Sequence, residues 1–328
     1  MADGQSTTPD GSDGDPGTGI VYEPEKSSVR QEPLRPIPLS VELDKRKVKL
    51  GHALFHDARL SIDGTVSCAS CHNLETGGTN RMRFSVGVGS KRGLLNAPTV
   101  FNSGFNFRQF WDGRAKSLED QVEGPLTDDH EMGSSFEFLL SILSKDKSIV
   151  EQFDSIYETG LSREAVKDAI ATFERSLITP NGRFDRWLRN DDSALSAEEL
   201  KGYALFKSLG CVSCHQGVNV GGNMFEKFGV MKKAFAEGED SKSIHFGRYN
   251  VTKNVSDKYV FKVPSLRNVA ITPPYFHDGS AGDLNEAVRR MAEYNVGRIL
   301  SDAEVSLITS FLKTLTGEYK GRPLDGSQ

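Results

Sequence analysis

The four cysteines of the chain fall into two pairs, Cys68-Ala69-Ser70-Cys71-His72 and Cys211-Val212-Ser213-Cys214-His215, each followed at once by a histidine, and none is left over. Two thiols three residues apart on a helical turn can add to the two vinyl groups of one haem, and the imidazole that follows then lies under the iron as its proximal ligand. The bland alternative is a zinc or thiol-redox pair. Zinc needs no histidine directly after both pairs, and its ligand pairs usually lie much closer together in sequence than these do. The pattern therefore predicts two covalently attached c-type haems. In bacteria such attachment takes place outside the cytoplasm, which points to the periplasm. The N-terminus carries no apolar signal-peptide core, as expected of a mature form with an added start Met.

The motifs sit inside an internal repeat. Gly51-His52-Ala53-Leu54-Phe55 resembles Gly202-Tyr203-Ala204-Leu205-Phe206, and each run leads into its CxxCH. Further on, Ala97-Pro98-Thr99-Val100-Phe101-Asn102 resembles Val263-Pro264-Ser265-Leu266-Arg267-Asn268, and Trp111 follows Pro98 at the same separation as His277 follows Pro264. Leu118 and Val122 continue the match opposite Leu284 and Val288. This register exposes an asymmetry. Met291 stands one helical turn past Val288 and can close a haem with thioether, the His/Met ligation of electron-transfer centres; a core methionine is the alternative. The aligned position in the first copy is Pro125, which cannot ligate iron. The first haem is thus expected to keep an open face for a small oxidant. Cleaving a peroxide O–O bond there requires a proton moved from the near oxygen to the far one. Asp128, Asp129, His130 and Glu131 are all candidates for that task.

The elements that must position these groups are helical. Ser162 reads as an N-cap with Val166, Ile170, Phe173 and Leu177 on one face, stopped by Pro180-Asn181-Gly182. Ser196/Glu199 and Ser301/Glu304 are capping boxes ahead of further apolar faces. No run of alternating strands is evident. The expected fold is mainly α, two cytochrome c-like haem domains related by the internal repeat. Residues 1–36 form a disordered or extended N-terminal tail, 37–181 the N-terminal haem domain, 182–320 the C-terminal one and 321–328 a tail. The chain has 328 residues, 37% hydrophobic and 26% charged, with net charge −5. The absence of a basic block argues against a nucleic-acid partner, and no stretch is long and apolar enough to span a membrane.

These residues resemble the bacterial dihaem cytochrome c peroxidases and the broader group that includes the tryptophan-modifying dihaem enzymes. The resemblance runs from about Pro36 to about Leu315, through Arg59-Leu60-Ser61, Asn96-Ala97-Pro98-Thr99, Phe110-Trp111-Asp112-Gly113-Arg114, Ile178-Thr179-Pro180, Gly217-Val218-Asn219-Val220-Gly221-Gly222 and Pro274-Tyr275-Phe276-His277. It implies that His72 and His215 are proximal ligands and that Met291 is the distal ligand of a C-terminal, high-potential haem. It makes Glu131 the acid–base residue at the peroxidatic haem, Gln121 its polar partner and Trp111 the tryptophan between the haems, with plain core packing as the alternative for Trp111. Asn96 and the carbonyls of Thr272 and Pro274 match an inter-domain calcium site built from oxygen ligands.

One departure stands out. A loop histidine caps the peroxidatic haem in many members, and this chain has Val88 there, in Ser85-Val86-Gly87-Val88-Gly89-Ser90. Valine cannot ligate iron, so the resting switch is expected to be missing unless Met82 closes the site. The implied activity is reduction of hydrogen peroxide to water. Electrons come from a small cytochrome c or a cupredoxin, enter at the C-terminal haem and pass by way of Trp111, in a homodimer. The alternatives are an oxidase of a protein tryptophan or other large substrate, which would use a tyrosine such as Tyr294 as distal ligand, and a dihaem electron carrier.

Overall fold

The computed structural model describes residues 29–234 and 245–326. It is mainly helical; among the described residues the only sheets are two short antiparallel pairs, Phe225–Lys227 with Val260–Lys262 and Glu318–Tyr319 with Arg322–Pro323. These pairs were not legible from alternation, because at two and three residues they are too short to show a period. No helix of the described residues is long and apolar enough to cross a membrane.

Two helix pairs frame the chain. Helix Lys45–Phe55 packs on Arg163–Arg175, and helix Ala197–Ser208 packs on Asp302–Lys313. Each pair crosses at a glycine. A Cβ on Gly51 would lie 1.9 Å from the Ala169 carbonyl oxygen, and one on Gly202 would lie 2.0 Å from that of Leu307. Only a residue without a side chain allows backbones to approach so closely. The expected caps are formed: Ser162 accepts from the Ala165 amide, and both capping boxes, Ser196/Glu199 and Ser301/Glu304, are closed. Helix Arg163–Arg175 ends earlier than Pro180-Asn181-Gly182 predicts. The Ser176 hydroxyl bonds the Phe173 carbonyl, and the Leu177 carbonyl and Thr179 amide are taken by Asn102, so residues 177–179 leave the helix although Leu177 stays buried.

The segments aligned by sequence take matching conformations. Asn102 and Asn268 both have left-handed backbones (φ 60° and 61°), as do Phe110 and Phe276 (68° and 69°). Both asparagines donate their side-chain amides to the Thr179 hydroxyl, at 2.7 and 3.0 Å. One apolar cluster gathers Leu50, Leu54, Leu60, Val122, Phe136, Phe153 and Val166; another gathers Phe184, Tyr203, Phe206, Val305, Ile308 and Phe311. Leu34 belongs to the second cluster and is fully buried, and Arg30 stacks on Trp187. The described part of the N-terminal segment is therefore extended, as expected, but packed along the C-terminal half. The segment 1–28, where disorder is expected, lies outside the described residues, as do 327 and 328.

Candidate functional site

A cavity of about 890 Å³ runs between the two halves, at the upper end of the range for ligand sites, ~300–1,000 Å³. Cys71 and His72 line it from one side; Cys211, Cys214 and His215 line it from the other. Both imidazoles are oriented in the same way. His72 Nδ1 lies 3.3 Å from the Gly78 carbonyl oxygen, and His215 Nδ1 lies 3.3 Å from that of Val220. A carbonyl only accepts, so each ring carries its proton on Nδ1 and leaves Nε2 bare, the arrangement a metal-ligating histidine needs. Burial also holds both rings neutral by lowering their pKa, that of His215 to about 4. Among the described residues no three His, Cys, Asp or Glu side chains cluster as a metal site, which leaves the zinc alternative without a ligand set. The residues present fit two c-type haems.

Beyond the two histidines the sides differ. Helix Leu118–Thr127 brings Gln121 and Pro125 to the cavity, and the loop after it brings Asp128, His130 and Glu131; Asp129 does not line it. Of the four candidate acid–base groups, Glu131 lines the cavity away from bulk solvent, and its pKa is raised. Burial is the main cause, the Asp128 charge adds to it, and the Arg114 guanidinium opposes it. Asp128 and His130 pair with each other at 3.3 Å and are exposed. Arg114 stands over the Phe110 ring, 3.5 Å from its centroid, and lines the same space. Sequence reading assigned Arg114 no role; its place in Phe110-Trp111-Asp112-Gly113-Arg114, across from Glu131, was the available signal.

On the other side, helix Leu284–Met291 ends with Met291 at the cavity wall. Tyr294, one turn on, is not part of that wall; its ring packs edge-on against Phe228, with centroids 5.6 Å apart. Trp111 lines the cavity and donates from Nε1 to the Asn96 carbonyl at 2.9 Å. The Asn96 side chain donates through Nδ2 to the Met82 carbonyl at 3.0 Å, which leaves its Oδ1 for a cation; Asn96, Thr272 and Pro274 all line the cavity.

Val88 is 5% exposed and belongs to the apolar cluster that holds Leu60 and Met132. Its amide donates to the Glu131 carbonyl at 2.8 Å. Gly87 lies so close to the carbonyls of His130 and Glu131 that a Cβ there would fall 2.2 and 2.4 Å from their oxygens. The Val88 loop is thus laced to the Glu131 loop. Met82 is 45% exposed and does not line the cavity.

Comparison with known proteins agrees with these features. The family model described as di-haem cytochrome c peroxidase matches residues 45–193. The chain is 50% identical over 291 residues to cytochrome c peroxidase Ccp of Escherichia coli, covering 88% of this chain and 62% of that longer protein. It is 44% identical over 301 residues to cytochrome c551 peroxidase of Nitrosomonas europaea, covering 92% and 89%. Among solved structures it is similar to a MauG-like protein associated with microbial copper homeostasis, with TM-score 0.74 and 26% identity over 90% of this chain and 96% of that one.

Proposed function

The chain belongs to the di-haem cytochrome c peroxidase family, and from that premise we propose that it reduces hydrogen peroxide to water with electrons from a small periplasmic redox protein, a cytochrome c or a cupredoxin. The observation that carries this reading is the unlike pair of walls: Met291 on one side of the cavity; Pro125, Gln121 and Glu131 on the other. Held at the two motifs, the haems would supply the redox chemistry: His215 and Met291 would hold one on the side that takes up electrons, and His72 would hold the other on the side of Glu131 and Gln121, where peroxide would be reduced.

The rest of the work falls to side chains. Cys68, Cys71 and His72 hold one group, Cys211, Cys214 and His215 the other. Glu131, with its pKa raised by burial, takes a proton from the near oxygen of peroxide and returns it to the far one. Gln121 holds the peroxide by a hydrogen bond, and Arg114 keeps the Glu131 carboxylate within reach of its ionised form. Trp111, tied to Asn96, stands as the aromatic bridge between the two sites. The reaction balances as one peroxide, two electrons and two protons giving two waters. Calcium held by Asn96 and the carbonyls of Thr272 and Pro274 would pin the two halves together, and a periplasmic homodimer is the working form.

Val88 gives this chain its particular character. With an aliphatic side chain packed in the core at that position, the loop would offer no ligand to the haem held by His72, and the oxidised enzyme would react with peroxide without prior reduction. The alternative reading, oxidation of a protein tryptophan with Tyr294 as distal ligand, has less support because Tyr294 faces Phe228 rather than the cavity. The test is steady-state peroxide turnover with a reduced small cytochrome, in the wild type and in Glu131→Gln. The variant is expected to keep both haems and to slow roughly 10²-fold or more, the usual scale of a lost acid–base group. Wild-type protein that carries both haems and does not consume peroxide contradicts the function; unchanged turnover in Glu131→Gln moves the proton transfer elsewhere.

A further inference from the structure

Two buried cations lie near the second motif, and they are satisfied very differently. Arg267 is 1% exposed and fully engaged: its guanidinium meets Asp185 at 2.7 Å and the carbonyls of Val218 and Arg35 at 2.9 and 2.6 Å. Lys262 is 7% exposed, lines the cavity, and its ammonium makes no hydrogen bond or ion pair among the described residues. It ends strand Val260–Lys262, which is fixed by pairing with Phe225–Lys227 and by the Lys262 amide donating to the Trp111 carbonyl at 2.8 Å. The pairing fixes the backbone at this residue, and the side chain forms part of the cavity wall. Burial alone lowers the ammonium pKa, to about 8, with no neighbouring charge opposing it.

Once a prosthetic group fills the cavity and displaces water from this wall, an ammonium without a counter-charge there is strongly unfavourable, so its place is explained by an anion that arrives with the contents of the cavity. Four carboxylates line the cavity, and none is bonded to Lys262 among the described residues: Asp128 pairs with His130, Glu131 answers to Arg114 and Asp128, Glu174 answers to Arg175, and Glu226 bonds the Lys227 amide. A haem brings its own carboxylates, two propionates that take no part in thioether attachment. Lys262 stands two residues before Pro264, whose carbonyl lies beside the His215 imidazole: a Cβ on Gly221 would meet the Pro264 oxygen at 2.3 Å and His215 Nδ1 at 3.3 Å. The nearer haem is therefore the one at the second motif. At the aligned place in the first half stands Asn96, which is neutral.

We propose that the Lys262 ammonium forms a buried ion pair with a propionate of the haem held by Cys211, Cys214 and His215, anchoring that haem and raising its potential relative to an uncompensated site. This rests on haem attachment at the second motif, so the experiment first weighs the denatured protein. One haem or none sinks the attachment reading itself; two haems isolate the question of Lys262.

Spectroelectrochemical titration then compares the wild-type holoenzyme with Lys262→Met, Lys262→Gln and Lys262→Arg. Removing the charge is expected to favour ferric iron at the Met291-side haem about tenfold at a fixed ambient potential, ~59 mV for a one-electron couple. The other haem should move less, and Lys262→Arg should restore the wild-type value. Resonance Raman spectra should show the propionate bending mode of one haem shifted in Lys262→Met and Lys262→Gln. Loss of the second haem from both neutral variants, with Lys262→Arg retaining it, also supports the pair. Unchanged potentials and propionate modes in a neutral variant carrying both haems overturn it, and so does Lys262→Arg behaving like Lys262→Met.

Discussion

In the half that carries Cys68–His72, a helix brings Pro125 to the cavity; in the half that carries Cys211–His215, the corresponding helix brings Met291. Around these two positions the halves are alike. Each has a histidine ring pinned by a backbone carbonyl, a glycine at its helix crossing and an asparagine with left-handed backbone bonded to Thr179. The comparison teaches that the two halves agree in the parts that hold the CxxCH histidines and differ where Pro125 and Glu131 stand on one wall and Met291 on the other; the proposed function assigns peroxide to the first wall and electron transfer to the second.

The largest expected effect comes from the divergent position itself. Met291→His should lower the potential of one haem by a sizeable fraction of the ~0.8 V range that axial ligands span and leave the other nearly unchanged, as read by redox titration. If Met291→Ala alters neither haem spectrum and Tyr294→Phe alters one, the ligand is the tyrosine.

Next comes a position where the halves differ in the core. Phe101 in the first half aligns with Arg267 in the second, and each is 1% exposed. Arg267→Leu strands the fully buried Asp185 carboxylate, and denaturant unfolding should register a loss of about 3–5 kcal/mol. Phe101→Leu should cost only about 1–2 kcal/mol. Equal losses would mean that the ion pair is no more than packing.

The duplicated crossings should instead respond alike. Gly51→Ala and Gly202→Ala each force a methyl group onto a carbonyl, at a cost of ~1–3 kcal/mol apiece; thermal melts that differ widely would break the equivalence of the two helix pairs.

The smallest effect is a shift in pH dependence. Glu131 must be ionised to accept a proton, so turnover falls as pH drops through its raised pKa. The Asp128 charge is the second cause of that rise, after burial. Asp128→Asn should therefore lower the Glu131 pKa modestly and extend activity to lower pH. An acid limb that stays in place, or moves up, would show that Glu131 does not set it.

Much of this was legible in the sequence because its signals are local. A CxxCH holds its own geometry, Ser162, Ser196 and Ser301 bond amides three residues away, and the Met291/Pro125 contrast needs only a register between two copies. Other features depend on distant partners. The resemblance already singled out Glu131 from Asp128, Asp129 and His130; its burial and the charge of Arg114 near it depend on the fold. Leu177 leaves its helix because of Asn102, far along the chain. Residues 29–38 pack on Trp187, Tyr203 and Lys207, contacts that no periodicity announces. The burial of Lys262 likewise depends on the pairing of Val260–Lys262 with Phe225–Lys227, a partner distant in sequence.

The most direct test of the claim that one side is open is electron paramagnetic resonance of the fully oxidised holoenzyme. The account predicts one high-spin ferric haem, from the half with Pro125 and Val88, beside one low-spin haem ligated by His215 and Met291. Two low-spin haems, with peroxide turnover appearing only after half-reduction, would contradict it and return a ligand switch to the first half.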